Sequence, residues 1–118
     1  MGKINAGQRL YLEQKFEDRV TFRRTERKLY GHDIAAMPSV IKPLVGKTVP
    51  DAVLQPETEQ ELVELVRWAA EQKIALTPRG KASTGYGGVL PIKKGIVVDF
   101  YRMKQICGID ANALTVTV

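Results

Sequence analysis

The sequence predicts an α/β fold, in which an N-terminal helix precedes a small, mainly parallel sheet built on a βαβ unit. Three features predict it. Residues 5–28 place apolar side chains at helical spacing, residues 51–78 alternate strand, helix and strand, and a glycine-rich loop follows at 78–91. With 118 residues, 44% hydrophobic and 26% charged, the chain has the size and composition of one small globular domain.

The N-terminal part of the chain is predicted to be helical and then extended. Leu12, Phe16 and Val20 recur at i, i+4 and i+8, which is the spacing of one helix face. A β-branched Val-Thr pair interrupts the pattern, so residues 5–28 are expected to form either one helix or two. Three prolines and a glycine then predict an extended connector over residues 36–50.

The second part of the chain is predicted to form the sheet. The first two strands flank a helix with short connections, so they are expected to run parallel through a right-handed crossover. The helix should then cover one face of the sheet. Strands are expected at residues 51–56, 74–78, 95–100 and 113–118, and the helix at residues 58–72.

The 58–72 helix has the clearest pattern in the sequence. Thr58 and Glu61 have the spacing of a capping box, in which a hydroxyl oxygen and a carboxylate each accept a hydrogen bond from an exposed backbone N–H. Trp68 is expected in the core. The apolar face expected to pack on the sheet consists of Leu62, Val63, Leu65, Val66, Ala69 and Ala70.

The net charge of +5 is concentrated in the first part of the chain. Residues 1–50 contain ten Lys and Arg against five Asp and Glu, whereas residues 51–118 contain eight of each. A basic patch can bind phosphates or an acidic surface, and its ordinary alternative is a solvated helix face. Aromatic residues do not interleave with the cations, so nucleic acid is not an expected partner. The cations concerned are Arg23, Arg24, Arg27 and Lys28.

Single residues exclude several kinds of site. Cys107 is the only cysteine, which excludes an internal disulfide, and its apolar neighbour Ile106 predicts a buried or half-buried thiol. His32 lies beside a glycine and is expected to be structural or exposed, without the ligand cluster that a metal needs. No apolar run has the length of a membrane span, and the N-terminus lacks a signal-peptide core, so a cytoplasmic location is expected.

The loop at residues 78–91, PRGKASTGYGGVLP, is the strongest functional feature. It contains four of the ten glycines of the chain, together with hydroxyl and cationic side chains. Glycines let backbone N–H groups converge on an anion, and the loop follows a strand at the carboxyl edge, where α/β sheets bind ligands. A phosphate or diphosphate is therefore the expected ligand; the alternative is a long connector with no ligand.

Two common phosphate-binding motifs do not fit this loop. A P-loop requires a hydroxyl residue two positions after Gly80 and a glycine five positions before it, but Ala82 and Ala75 stand there. A GxGxxG dinucleotide-binding turn must open a helix, whereas the glycines here run into Val-Leu-Pro91. The loop therefore predicts a different way of holding a diphosphate.

Three segments of the sequence flank or overlap the loop. They are "YGHD" from Tyr30 to Asp33, "PDAVLQPETEQELVELVRWAAEQKIALTPRG" and "GYGGVLPIKKGIVVDFYRM". Over residues 30–118 they resemble the N-terminal part of the FAD-binding (PCMH-type) domain of FAD-linked oxidases of the vanillyl-alcohol oxidase type. Glycolate oxidase and D-lactate dehydrogenase are members of that group.

The resemblance implies that the loop clasps the diphosphate of FAD through backbone amides and hydroxyls. Many members have two glycines where this chain has Lys81 and Ala82, and Lys81 is expected either to contact a phosphate or to point to solvent. Ser83 takes the place of a histidine that tethers FAD in some relatives, which implies non-covalent FAD. The residues implied to bind the cofactor are Arg79, Gly80, Lys81, Ala82, Ser83, Thr84, Gly85 and Tyr86.

The resemblance also implies a domain division and a function. Residues 1–50 would be a helical segment with its connector, and residues 51–118 a first FAD-binding subdomain truncated within its last strand. The parent would be a flavin-dependent oxidoreductase acting on a 2-hydroxy acid, with a second FAD-binding subdomain and a substrate domain elsewhere. The fragment alone would be inactive and could self-associate through its open sheet edge. The alternative is a non-redox module that binds anions or nucleic acid through the basic N-terminal helix.

Overall fold

The computed structural model describes residues 3–35 and 38–118. Within these ranges no helix combines the length and apolar character needed to cross a membrane. The helices are α1 (Ala6–Phe16), α2 (Arg24–Leu29), α3 (Lys42–Val45) and α4 (Glu59–Glu71). The strands are β1 (Val20–Thr21), β2 (Ala52–Leu54), β3 (Leu76–Arg79), β4 (Ile96–Asp99), β5 (Gly108–Asp110) and β6 (Thr115–Thr117).

The main sheet has four strands in the order β1-β2-β4-β3. β2 and β3 each pair in parallel with β4, and β1 pairs antiparallel with β2. The predicted α/β class with a mainly parallel sheet is confirmed. The first two predicted strands, β2 and β3, are parallel as expected, but β4 lies between them.

The residues of β3 and β4 explain this order. β4 presents Ile96, Val97 and Val98, all at most 2% exposed, and a strand so apolar is stable only with neighbours on both sides. β3 contains Pro78, which has no backbone N–H to donate and therefore fits the edge of a sheet. In this register Asp99, the last residue of β4, lies opposite Arg79, the last residue of β3.

One core lies between the sheet and two helices. Leu12 and Phe16 of α1 and Leu65 of α4 are almost fully buried there. The predicted helix is confirmed, because α4 follows Thr58 and covers one sheet face. Its predicted apolar face was too broad, because only Leu65 and Ala69 are buried, whereas Val63, Val66 and Ala70 are exposed. The division of the chain at residue 50 stays a prediction, and α1 packs into the same core as the sheet. The sheet residues of this core are Val20, Ala52, Leu54, Ile96 and Val98.

The N-terminal region forms two helices with a strand between them. α1 ends at Phe16, and the next residue, Glu17, adopts a left-handed backbone with φ of 49°. Val20 then pairs with Leu54 as part of β1. Its assignment to a helical stripe was wrong: Val20 is buried, but as a strand residue. The β-branched Val-Thr pair that weakened the helical pattern is what favours a strand here.

Three smaller details differ from the predictions. α3 adds one helical turn to the connector, with Pro43 in the first turn, where its missing N–H leaves no hydrogen bond unmade. The strand predicted at residues 113–118 is confirmed as β6, but it pairs with β5, a strand missed in the sequence, in a separate two-stranded sheet. Cys107 lies at the start of this hairpin and is exposed, because residues 104–118 are exposed throughout. Residues 36 and 37 of the predicted connector lie outside the described residues.

A charged contact joins the turn that follows α1 to the start of α4. The Arg19 guanidinium donates two hydrogen bonds to the Glu61 carboxylate, at 2.6 and 2.8 Å. The Thr58 hydroxyl accepts from the Glu61 amide at 3.2 Å, as a capping box requires. The Glu61 carboxylate, however, accepts from the Glu57 amide at 2.9 Å, so the reciprocal half of the predicted box is displaced by one residue.

Aromatic and ionic contacts continue this interface along the two helices. The rings of Tyr11 and Trp68 stack with their centroids 4.8 Å apart. Lys15 forms an ion pair with Glu64 one turn away from Arg19. Trp68 packs against the core as expected, although it is only half-buried. α1 is therefore fixed on α4 by side chains as well as by the core.

We expect Glu61→Gln to lower the free energy of unfolding by about 1–2 kcal/mol at neutral pH, because it removes a charge-assisted contact on a half-buried group. The bond to Arg19 lowers the pKa of Glu61 from 4.5 to about 2. A lowered pKa stabilises the fold above the unfolded-state pKa, and this stabilisation is lost as the pH falls through the folded-state value. Urea titrations should therefore show the difference between wild type and variant shrinking between pH 4.5 and pH 2.

The matched control is Glu59→Gln, since Glu59 is exposed in the same first turn of α4. It should change stability little at either pH. A difference for Glu61→Gln that is the same at both ends of the pH range would contradict the assignment.

Gly95→Ala is expected to destabilise the fold by more than about 2 kcal/mol. Gly95 has φ of +65°, and a Cβ there would lie 2.1 Å from the carbonyl oxygen of Ala75. That oxygen accepts a hydrogen bond from the Ile96 amide at 2.9 Å, so it cannot move without opening the β3–β4 pairing. Gly108→Ala, where a Cβ meets nothing within 4 Å, is the control and should unfold at the wild-type urea concentration.

Candidate functional site

The glycine-rich loop begins where the edge strand β3 ends, beside the end of the central strand β4. β3 finishes at Arg79, directly opposite Asp99 of β4. Loop residues 80–86 form neither helix nor strand. The loop thus lies at the carboxyl edge of the parallel strands, the position at which open α/β sheets bind ligands.

The backbone amides of the loop lack hydrogen-bond acceptors in the described part of the chain. Within residues 3–35 and 38–118, the N–H groups of residues 80–86 have no hydrogen-bond acceptor in the protein. The next amide, that of Gly87, donates to the Asp33 carboxylate at 2.8 Å. Seven successive amides without an acceptor among the described residues suit a ligand rich in acceptor oxygens.

Most side chains of the loop face outwards. Gly80, Ser83 and Thr84 are exposed, and the Tyr86 ring is 96% exposed. A Cβ at Gly80 would meet nothing within 4 Å, which leaves the backbone open to close approach. The Ser83 and Thr84 hydroxyls therefore add donors on the same short stretch as the amides.

Ala82 is the buried residue of the loop. It is 8% exposed and has φ of 53°, in the left-handed region. A residue with a Cβ pays about 1–2 kcal/mol for this conformation, whereas glycine adopts it freely. The backbone here has the conformation that glycine favours, and the buried methyl group anchors the middle of the loop.

Cationic side chains flank the loop in two different ways. Arg79 donates to the His32 carbonyl oxygen at 2.9 Å, and its guanidinium lies 5.2 Å from the centre of the Tyr30 ring. The Lys81 ammonium lies 5.8 Å from the centre of the Tyr101 ring and is exposed. Arg79 is thus held by the protein, while Lys81 remains at the surface.

Gly85 packs closely against the segment that precedes the connector. A Cβ at Gly85 would lie 2.6 Å from the Cβ of Ala35. Asp33, two residues earlier, accepts from the amides of Ala35 and Gly87 through its two oxygens, at 2.9 and 2.8 Å. The end of the loop therefore lies directly on residues 33–35.

A cavity of about 800 Å³ adjoins this contact. Its volume is in the range of small-molecule sites. Apolar and charged side chains share its wall, and the loop contributes one side through Gly85, Tyr86 and Gly87. Facing residues include His32, Lys42, Val45, Thr48, Leu90 and Ile92.

A buried carboxylate lies beneath the start of the loop. Asp99 is 7% exposed and accepts from the Tyr30 hydroxyl and the Gln55 amide group, both at 2.8 Å, and from the Tyr101 backbone amide at 3.1 Å. Burial, together with the bond to Asp99, raises the pKa of Tyr30 to about 12. This network is invisible in any one segment of the sequence, because its members are far apart along the chain.

The basic N-terminal cluster is partly engaged within the fold. Arg27 donates to the Pro50 carbonyl oxygen at 2.8 Å, and Arg23 pairs with Glu26 at 3.4 Å. Among the described residues, His, Cys, Asp and Glu side chains form no group of three that could ligate a metal. The two other cations of the cluster, Arg24 and Lys28, are exposed.

Comparisons with curated proteins point to flavoproteins. The glycolate oxidase subunit GlcD of Bacillus subtilis (strain 168) is 35% identical over 72 residues, 61% of this chain and 15% of that protein. The mitochondrial D-lactate dehydrogenase [cytochrome] of Arabidopsis thaliana is 25% identical over 107 residues, 91% of this chain and 18% of that protein. The chain spans less than one fifth of the length of these relatives.

Solved structures share the fold. Two crystal forms of an alkyldihydroxyacetonephosphate synthase match with TM-scores of 0.75 and 0.77, over 98% and 97% of this chain and 24% and 22% of that chain. The sequence identity is 19% in both cases, so the match shows a common fold and no more.

A family model described as "FAD binding domain" matches residues 50–118, which is more than half of the chain. The match includes strands β2 to β6, helix α4 and the whole glycine-rich loop. The resemblance found in the sequence is thus confirmed, and the chain belongs to the FAD binding domain family of FAD-linked oxidases.

Proposed function

We propose that the chain binds FAD non-covalently, with the backbone amides of residues 80–86 around the diphosphate, as part of a flavin-dependent oxidoreductase that acts on a 2-hydroxy acid. The observation that carries this proposal is the run of loop amides without an acceptor among the described residues, in a chain of the FAD binding domain family. Two negatively charged phosphate groups supply enough oxygen acceptors for such a run.

Each residue of the loop has its own role in the proposed binding. The amides and the Ser83 and Thr84 hydroxyls donate to phosphate oxygens, and Lys81 adds positive charge from the surface. Arg79 fixes the first residue of the loop through the His32 carbonyl oxygen and the Tyr30 ring. Ala82 and Gly85 shape the backbone, and Tyr86 is free to lie against the cofactor.

The adjoining cavity supports the same proposal. It begins at Gly85–Gly87, where the loop ends, and its volume of about 800 Å³ can take one of the ring systems of a dinucleotide. Non-covalent attachment is consistent with Ser83 at the place where some relatives have a tethering histidine. The single histidine, His32, lies outside the loop.

The relatives, and not the geometry of the site, support the proposed substrate class. Glycolate and D-lactate, after which these relatives are named, are 2-hydroxy acids. When bound, the flavin supplies the capacity to accept a hydride, and the protein supplies binding and orientation. In this proposal substrate-binding residues lie elsewhere in the parent, and the 118-residue chain by itself is inactive.

The 118-residue chain should bind ADP and FAD at the loop, because both carry a diphosphate. In two-dimensional ¹H–¹⁵N NMR spectra, millimolar ADP should shift the amide signals of residues 80–86, and AMP should shift them less. Ser83→Ala and Thr84→Ala should each weaken ADP binding about threefold to tenfold, the usual effect of one lost hydrogen bond.

Ser39→Ala is a suitable control, since Ser39 is exposed and lies outside the loop. ADP-dependent chemical-shift changes that saturate only at amides outside residues 80–86 would exclude the proposed diphosphate site.

The redox proposal is tested on a longer polypeptide that joins this chain to the remaining domains of a related oxidoreductase. It should purify yellow or regain flavin absorbance with added FAD, and D-lactate or glycolate should bleach that absorbance under anaerobic conditions. A polypeptide that stays colourless and binds nucleic acid with a steep dependence on salt would favour the basic-helix alternative.

Self-association stays a prediction as well. The β5–β6 hairpin exposes apolar side chains, with Ile109 72% and Val116 56% exposed. Sedimentation of the 118-residue chain at increasing concentration should show dimers or larger species, and Ile109→Lys should reduce them. A monomer at every concentration would contradict this prediction.

A further inference from the structure

We propose that residues 30–33, hereafter the 30–33 segment, act as a positioning element that holds both ends of loop 80–86 in the geometry required for diphosphate binding. The segment precedes the part of the chain that matches the family model. The proposal rests on the proposed function for its ligand, but the contacts that carry it belong to the protein alone.

The first step is the attachment of the segment to the sheet. The Tyr30 hydroxyl donates to Asp99 at 2.8 Å, and Asp99 is a buried residue at the end of the central strand. The Gly31 carbonyl oxygen accepts from the Thr48 hydroxyl at 2.5 Å. A Cβ at Gly31 would lie 3.2 Å from the Thr48 carbonyl oxygen, so the backbones are in close contact. The segment is therefore tied to the most buried part of the fold.

Two contacts of Arg79 fix the start of the loop. Arg79 donates to the His32 carbonyl oxygen at 2.9 Å and lies over the Tyr30 ring. A planar guanidinium that both stacks and donates has little freedom to rotate. Since Arg79 is the last residue of β3, these contacts fix the direction in which the chain leaves the sheet.

The Asp33 carboxylate fixes the end of the loop. The Asp33 carboxylate accepts from the Gly87 amide at 2.8 Å, and its other oxygen accepts from the Ala35 amide at 2.9 Å. Gly87 has φ of +79°, a backbone that this bond helps to fix. A loop of seven residues thus has its two ends bound to one four-residue segment.

Asp33 makes the proposal sharply testable, because two physical effects predict opposite signs. A carboxylate near bound phosphates repels them, so its removal would tighten ADP binding if charge alone mattered. Removal of an acceptor that orders the loop would weaken ADP binding instead, because the ligand must then order the loop itself. The sign of the change therefore separates the two roles.

The experiment compares Asp33→Ala and Asp33→Asn in the ¹⁵N-labelled 118-residue chain, with ADP as the probe. Asp33→Ala should weaken ADP binding about threefold to tenfold, the effect of one lost hydrogen bond. Asp33→Asn keeps one of the two oxygen acceptors, which can still accept from the Gly87 amide, and should therefore bind ADP more tightly than Asp33→Ala. Asp18→Ala, at an exposed position outside the segment, is the control.

A second variant tests the other end of the loop. Tyr30→Phe removes the hydroxyl that binds Asp99 and keeps the ring under Arg79. It should also weaken ADP binding about threefold to tenfold. Tyr101→Phe is the control, because the Tyr101 ring is exposed and its hydroxyl has no partner in the described ranges. Urea midpoints report any loss of global stability separately.

Backbone relaxation of the ligand-free chain keeps this inference distinct from the proposed function. Amides of residues 80–86 should become more mobile on the nanosecond timescale in Asp33→Ala and Tyr30→Phe, whether or not ADP binds. Unchanged relaxation, or tighter ADP binding by Asp33→Ala, would overturn the positioning role. Wild-type amides that do not respond to ADP would overturn the diphosphate site, while the relaxation data would still decide the positioning role.

Discussion

The burial of β4 between two parallel neighbours is the constraint on which the rest of the structure depends. Its three aliphatic residues exclude water on both faces, so β2 and β3 must lie on either side and end at the same edge. At that edge lie Asp99, at the end of the central strand β4, and the glycine-rich loop, which follows the edge strand β3. The contacts of Tyr30, Gln55 and Arg79 all follow from this one arrangement.

Local patterns in the sequence were sufficient for the elements that bury one clear face. The 58–72 helix has a capping threonine, buries Leu65 and Ala69, and appears with nearly the predicted bounds. The strands at 51–56, 74–78 and 95–100 are short apolar runs between turn residues. Each matches a strand of the sheet, although β3 runs one residue further than predicted, to Arg79. The position of the glycine-rich loop after β3 could likewise be read from the order of elements alone.

The parts that could not be predicted depend on partners distant in the chain. Val20 fits a helical stripe by spacing, yet pairing with Leu54 stabilises it as a strand, because tertiary contacts outweigh local propensity. Cys107 has an apolar neighbour but lies in a hairpin that no described element covers. The bond between Asp33 and Gly87 joins residues 54 positions apart, and only the folded backbone brings them together.

The open amides of residues 80–86 have a consequence for the heat of ligand binding. In the free chain six of these seven residues are exposed to solvent, so their N–H groups can donate to water. A bound diphosphate would exchange those waters for phosphate oxygens, and the two sets of hydrogen bonds are similar in enthalpy. The released waters gain freedom, while the ordering of the loop opposes binding. Calorimetry would then record little heat at this site, and the balance of entropy would set how tightly the loop closes around its anion.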